Sequence, residues 1–220
     1  MNLGELISVA RDRSDDKFAP FLWSDAEWVS FANDAEREAC RRSRLIVDSS
    51  NCDIGEIRLR AGGKTYDLDQ RILFIRRAKL QGRSQPLGRA SYKDLDRCRP
   101  DWEDETGEPQ AYVPDMDTDK FRPYPTPTEA GVVKLTVVRL PMVDMVDLDD
   151  APEIKPHLHD SLVFWMLYRA YSKQDSETKD DKKAAGNLAL FENEFGKKSS
   201  AIDETWLQHE QGYIEEEGHF

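Results

Sequence analysis

The stretch APEIKPHLHDSLVFWMLYRAYSK, residues 151–173, decides the fold. Pro156 suits the first turn of a helix, where its missing N–H has no partner to lose. From His157 to Lys173, apolar side chains fall almost all round the helix: Leu158, Leu162, Val163, Phe164, Trp165, Met166, Leu167 and Ala170. A helix with so little polar face belongs at the centre of a bundle or against a neighbouring subunit. Its longest apolar run, Leu162 to Tyr168, is far too short to span a bilayer, which takes about 20 residues.

Such a helix needs companions, and the flanking sequence supplies them. Downstream, the polar loop SKQDSETKDD (172–181) leads to a helix expected over about 181–200. Ala184, Leu188, Phe191 and Phe195 line one of its faces, and Gly196 loosens its end. Far upstream, Leu3, Leu6, Ile7 and Ala10 share a face behind a capping pair, Asn2 and Glu5. After a break at Pro20, a second capping box, Ser24 and Glu27, opens a helix expected to run from about 24 to 47. It would be roughly 36 Å long at 1.5 Å per residue. Trp28, Phe31, Ala35, Ala39 and Leu45 recur along it at helical spacing.

Between these helices the period changes to two. Ile57 and Leu59 alternate with arginines, and Tyr66 and Leu68 alternate with polar residues, on either side of Gly62-Gly63. This pattern predicts a tight hairpin. Strands are expected at ILFIRRAK (72–79) and VVKLTVVRL (132–140), with short ones at Ala111–Val113 and Phe121–Tyr124. Residues 80–130 read as a β-rich excursion with long loops and no separate core. The architecture is α+β: N- and C-terminal helices (1–50 and 155–200) form a helical bundle from which a β-rich insertion, about 54–150, emerges. The whole, 1–220, is expected to be one domain ending in an acidic arm, 201–220.

Charge is uneven. The chain carries a net −12, yet residues 1–100 are at +3 and residues 101–220 at −15. An acidic chain is a poor polyanion binder, because phosphate binding depends on cation clusters that release counterions. It would suit a passage through which DNA slides without sticking. Arg76, Arg77, Lys79, Arg83 and Arg89 form the one basic stretch. They suit DNA, an acidic partner surface or a solvated strand edge. The opening residues lack the basic and apolar pattern of a secretory signal. Cys40, Cys52 and Cys98 have no zinc-type spacing and are expected to be free thiols in a reducing compartment.

Catalytic patterns are sparse in the sequence. His157 and His159 stand two apart, about 200° around a helix, so they cannot chelate one ion as an i, i+4 pair can. Asp144, Asp147, Asp149 and Asp150 line a loop without calcium-loop spacing. Phosphate-binding glycine motifs, a GxSxG elbow and an HExxH pair are all missing. No catalytic residue, metal ligand or cofactor is therefore assigned. A small metal-dependent enzyme built on His157, His159 and the acidic loop remains the alternative from another class.

The order of segments resembles the phage adaptor, or head-to-tail connector, family. The resemblance runs through LGELISVARD (3–12), LWSDAEWVSFANDAEREACRR (22–42), GGKTYDLDQRILFIRRAKL (62–80) and SYKDLDRCRPDWEDETGEPQAYV (91–113). It continues through FRPYPTPTEAGVVKLTVVRLP (121–141) and the stretch from Ala151 to Gly196. After Ala201 it finds no counterpart. It implies a structural, non-enzymatic virion protein, made in the host cytoplasm and placed at the head–tail interface. It also implies a ring, commonly of twelve copies, beneath the portal protein, with a tail or nozzle component below and the genomic DNA passing through the lumen. No membrane is involved. A stopper or tail-completion protein of the same particle is the neighbouring alternative. Trp206, Tyr213, Ile214 and Phe220 in the acidic arm, with Arg76 and Arg77, are the expected partner-binding residues.

Overall fold

In a computed structural model, residues 1–114, 116–175 and 178–198 are described. The helices are α1 Leu3–Ser14, α2 Asp25–Ser43, α3 Cys52–Gly55, α4 Tyr92–Cys98, α5 His159–Tyr171 and α6 Asp181–Phe195. The strands are β1 Ile46–Asp48, β2 Glu56–Leu59, β3 Tyr66–Asp67, β4 Ile72–Leu80, β5 Gly88–Arg89, β6 Thr106–Gly107, β7 Ala111–Val113, β8 Lys120–Tyr124, β9 Thr126–Pro127 and β10 Gly131–Arg139. The class is α+β. The described chain divides into two compact units, one of Met1–Ile46 with the segment from Arg139 onward, the other of Val47–Val138.

In the first unit α5 packs against α1, α2 and α6. Leu162, Val163, Met166, Leu167 and Ala170 lose nearly all contact with solvent. Burying each of the larger four contributes about 1.5–3 kcal/mol. Trp165 and Phe195 lie against the ring of Phe191, with centroids at 4.9 and 4.7 Å. Trp23, just before α2, meets Trp28 and Tyr171 edge-on and donates its indole N–H to the Ala170 carbonyl at 3.2 Å. The break between α1 and α2 is also held from within. The buried Asp16 carboxylate pairs with Arg11 at 2.6 Å and accepts from the Leu22 N–H at 2.8 Å.

Both capping boxes form. The Asn2 side chain accepts from Glu5 N–H at 2.8 Å while the Glu5 carboxylate accepts from Asn2 N–H at 3.0 Å, and Ser24 and Glu27 reciprocate in the same way. Lys173 lies 2.7 Å from Glu27 and, with Ser24, lowers its carboxyl to about 2. Two helices end earlier than expected. α2 stops at Ser43 because Arg44 turns left-handed (φ 53°) and donates its N–H to the Cys40 carbonyl; the β-branched pair Ile46-Val47 then extends into β1. α6 stops at Phe195 because Gly196 adopts φ +84°, so that glycine ends the helix.

In the second unit β10 lies at the centre of a four-stranded sheet, ordered β1-β10-β2 with β4 also paired to β10. A second sheet runs β3-β8-β7-β5, and β6 pairs with β9. The expected hairpin across Gly62-Gly63 does not form. β2 runs antiparallel to β10, with Leu59 opposite Gly131, whereas β3 pairs with β8, with Tyr66 opposite Phe121. The turn itself exists, with Gly62 at φ +73° and Gly63 N–H donating to the Arg60 carbonyl. A side chain closes it in place of a ladder: the Tyr66 hydroxyl accepts from Arg60 N–H at 2.9 Å and donates to the Arg60 carbonyl at 3.0 Å. A Cβ on Gly63 would stand 2.2 Å from that hydroxyl. The excursion 80–130 carries a small apolar cluster of its own, Trp102, Val113 and Tyr124, which the sequence reading does not expect.

Phe191 is fully buried between two aromatic neighbours. Phe191→Ala should therefore lower unfolding free energy by about 3–5 kcal/mol, read from urea or thermal denaturation.

Candidate functional site

The segment from Leu140 to Lys155 has almost no regular structure, yet it is tied down along its length. One face of α2 does most of the tying. Asn33 forms a two-way bond with Met145, donating to its carbonyl at 2.9 Å and accepting from its N–H at 2.7 Å. One turn on, the Glu36 carboxylate accepts from the N–H groups of Glu153 at 2.5 Å and Ile154 at 3.2 Å. Next to it, Arg37 pairs with Asp144 at 2.6 Å. Spacing of three and four places all three residues on one side of the helix.

The start of α1 holds the segment from another direction. The first N–H groups of a helix lack partners within it. Here Leu3 N–H donates to the Asp150 carbonyl at 2.7 Å and Gly4 N–H to the Leu148 carbonyl at 2.9 Å. Gly4 allows this approach, since a Cβ there would sit 3.3 Å from the Leu148 oxygen. The Asp150 carboxylate accepts from Val146 and Asp147 N–H, both at 2.8 Å, which lowers its pKa. Arg139 pairs with Glu153, whose carboxylate also accepts from Met142 N–H at 3.0 Å.

Held this way, the segment presents apolar side chains to water. Val143 is 78% exposed, Val146 72% and Leu148 59%. A second apolar group in the same unit, Phe18, Phe21 and Leu22, is exposed on the α1–α2 connection, where the Arg11 guanidinium covers the Phe21 ring at 3.9 Å. Exposed apolar side chains on an anchored loop make this stretch the candidate for contact with other molecules. The sequence reading saw only carboxylates in VDMVDLDD (143–150). No periodic signal in the sequence marks Val143, Val146 and Leu148, which are exposed alongside Asp144, Asp147 and Asp149.

The residues singled out from sequence fall in several places. His159 is buried, with Nε2 2.9 Å from the Ile154 carbonyl and Nδ1 2.9 Å from that of Met1, while His157 is exposed. The two do not converge on one point, and among the described residues no group of three or more His, Cys, Asp or Glu side chains is arranged to hold a metal ion. No described helix is long and apolar enough to cross a membrane. Arg76 and Arg77 are exposed on β4, whereas Arg83 donates to the Pro109 carbonyl at 2.7 Å. Trp206, Tyr213, Ile214 and Phe220 lie outside the described residues. Cys40 is buried, and desolvation aided by Glu36 and Glu153 pushes its thiol up to about 12; Cys52 and Cys98 are exposed free thiols.

The class of the protein comes from the family comparison. The model described as SU10 adaptor protein matches residues 1–211, and the chain belongs to the SU10 adaptor protein family. These are phage adaptors, structural proteins of the virion. The match reaches ten residues past Ala201, where the sequence reading found no counterpart. No curated protein matches the chain.

Glu36 gives the segment a pH dependence. Burial raises its pKa from 4.5 to about 7, outweighing the two N–H donors; the Glu153 and Asp144 carboxylates add to the rise. Because the folded value exceeds the unfolded one, the stabilising effect is complete below pH 4.5 and is lost as pH rises through 7. Glu36→Gln mimics the protonated acid. Between pH 4.5 and 8 its stability relative to the unaltered protein should rise by about 3 kcal/mol, read by urea denaturation across that range.

Proposed function

We propose that this chain is the ring subunit, in twelve copies, that joins the head portal to the tail at the head–tail interface of a tailed phage. The observation that carries the reading is the family match over residues 1–211, joined by the anchored apolar loop at 143–148. In this reading the chain acts as one connector domain, 1–220. Its N- and C-terminal helices are the bundle, and the β-rich segment is an insertion between them. The portal protein and a tail or nozzle component are its partners, Arg76 and Arg77 meet an acidic surface, and Trp206, Tyr213, Ile214 and Phe220 act as anchors. The net charge of −12 supports a lumen through which genomic DNA passes without sequence-specific binding. The family is structural, and the engagement of both His159 ring nitrogens weighs against a metal-dependent enzyme built on His157 and His159.

Electron microscopy of the purified chain, alone and mixed with its portal, tests the reading. Rings are expected, at least on the portal; a chain that stays monomeric in both samples overturns it. Within this reading, Val143→Asp combined with Val146→Asp should abolish ring formation or portal binding. Stability should stay within about 0.5 kcal/mol, since both side chains are exposed.

A further inference from the structure

The second unit carries cations that the sheet register sorts onto one face. In the antiparallel pair of β2 and β10, Arg58 stands opposite Val132 and Glu56 opposite Lys134, while Leu59 stands opposite Gly131. Opposed residues share a face and successive residues alternate. Arg58 and Lys134 therefore project from one side, Leu59 from the other. β4 also pairs with β10, and just past its end Gln81 N–H donates to the Val132 carbonyl at 2.8 Å. A Cβ on Gly131 would meet the Leu80 side chain at 3.2 Å, which puts Leu80 on the Leu59 side. Lys79 and Arg77 then fall on the side of Arg58.

Every exposed position on this face of the three strands is a cation, Arg58, Lys134 or Arg77, and half-buried Lys79 adds a fourth. Glu56 is the one acid these strands place there, 3.9 Å from Lys134. Glu108 and Glu129 line a cavity with Leu59, Leu80 and Gly131 on the opposite side. Asp48 on β1 is engaged by the N–H groups of Ser50 and Asn51. Arg58, Arg77 and Lys79 have no carboxylate partner among the described residues, whereas Arg11, Arg37, Arg71 and Arg139 each hold one. In a chain of net −12, these three cations stay clear of abundant acids, which leaves their charge for a partner.

The chemistry of the face chooses that partner. The guanidinium forks of Arg58 and Arg77 match phosphate oxygens. The face has no aromatic side chain on which unpaired bases could stack, and no exposed apolar side chain to anchor a protein. Cations on β2 and β4 stand about 10 Å apart across the sheet, spread as a charged backbone requires.

We infer that this face of β2, β10 and β4 rests on the phosphate backbone of duplex DNA through Arg58, Arg77, Lys79 and Lys134, without reading bases. The choice of duplex DNA rests on the ring reading, in which the genome passes the chain. Phosphate contacts carry no sequence information, so DNA can slide over them. The acidic surface met by Arg77 is then phosphate, and Arg76, on the Leu80 side by alternation, takes no part.

The test is fluorescence anisotropy of a short labelled duplex with the full-length chain, from about 50 to 200 mM NaCl. The logarithm of the binding constant should fall against that of salt with a slope of about −3.6, or about 0.9 per phosphate. Arg58→Gln and Arg77→Gln should each reduce the slope by about 1 and weaken binding about tenfold at the lowest salt, while Arg76→Gln changes neither. All three residues are exposed, so the variants keep the fold. Polyglutamate at equal charge should leave the DNA bound. No binding at the lowest salt, a slope untouched by Arg58→Gln with Arg77→Gln, an equal loss from Arg76→Gln, or displacement by polyglutamate overturns the assignment. The two readings fail separately. Rings on the portal from a chain that binds no DNA overturn the face alone. DNA binding that depends on Arg58 and Arg77, in a chain that forms no ring even on the portal, overturns the ring and leaves the face standing.

Discussion

Helix α5 needs cover on nearly every side, and that requirement organises the first unit. Few globular helices lack a polar stripe, and one that does is soluble only when other elements enclose it. Here α1, α2 and α6 supply the enclosure, each through an amphipathic face of its own. Because two of them precede the β-rich segment and one follows α5, the chain must return after that segment to complete the core. Residues 1–46 and 139–198 consequently fold as one unit, although 92 residues separate them.

With that core in place, α2 can act as a scaffold for something other than packing. Its inward face is made of Trp28, Ala32, Ala35 and Ala39, small enough near the middle to let elements approach. Asn33, Glu36 and Arg37 beside it take hold of the segment 144–154 through backbone groups and one ion pair. Fastening by hydrogen bonds leaves the apolar side chains of that segment out of the core. A loop buried through its own valines and leucine would present only its acids. The arrangement found here leaves Val143, Val146 and Leu148 exposed beside Asp144, Asp147 and Asp149.

Much of the secondary structure was legible because its causes are local. The capping boxes at Asn2–Glu5 and Ser24–Glu27, the periodicity of α1, α2 and α6, the alternation in β2 and the apolar runs of β4 and β10 all follow from residues a few positions apart. The departures have non-local or single-residue causes. The glycine pair at 62–63 made a turn, but the Tyr66 hydroxyl closed it and the emerging strand joined β8. Arg44, an unremarkable residue in sequence, ended α2 in a left-handed conformation that a β-branched pair then carried into a strand. At the candidate site the carboxylates of 144–150 were plain in sequence, while the exposure of Val143, Val146 and Leu148 was not. Exposure depends on which backbone groups Asn33, Glu36 and the start of α1 engage.

By itself the sequence determined the class of fold, the set of helices around α5, the main strands and the resemblance to phage adaptors. Each is written in periodicity, capping or segment order, which act over short range or along the chain. The tertiary structure alone decided which strands pair, where the 140–155 segment is fastened, and that His159 serves packing with both nitrogens engaged. These outcomes depend on contacts between residues far apart in sequence, where many partners compete and only the assembled core selects among them.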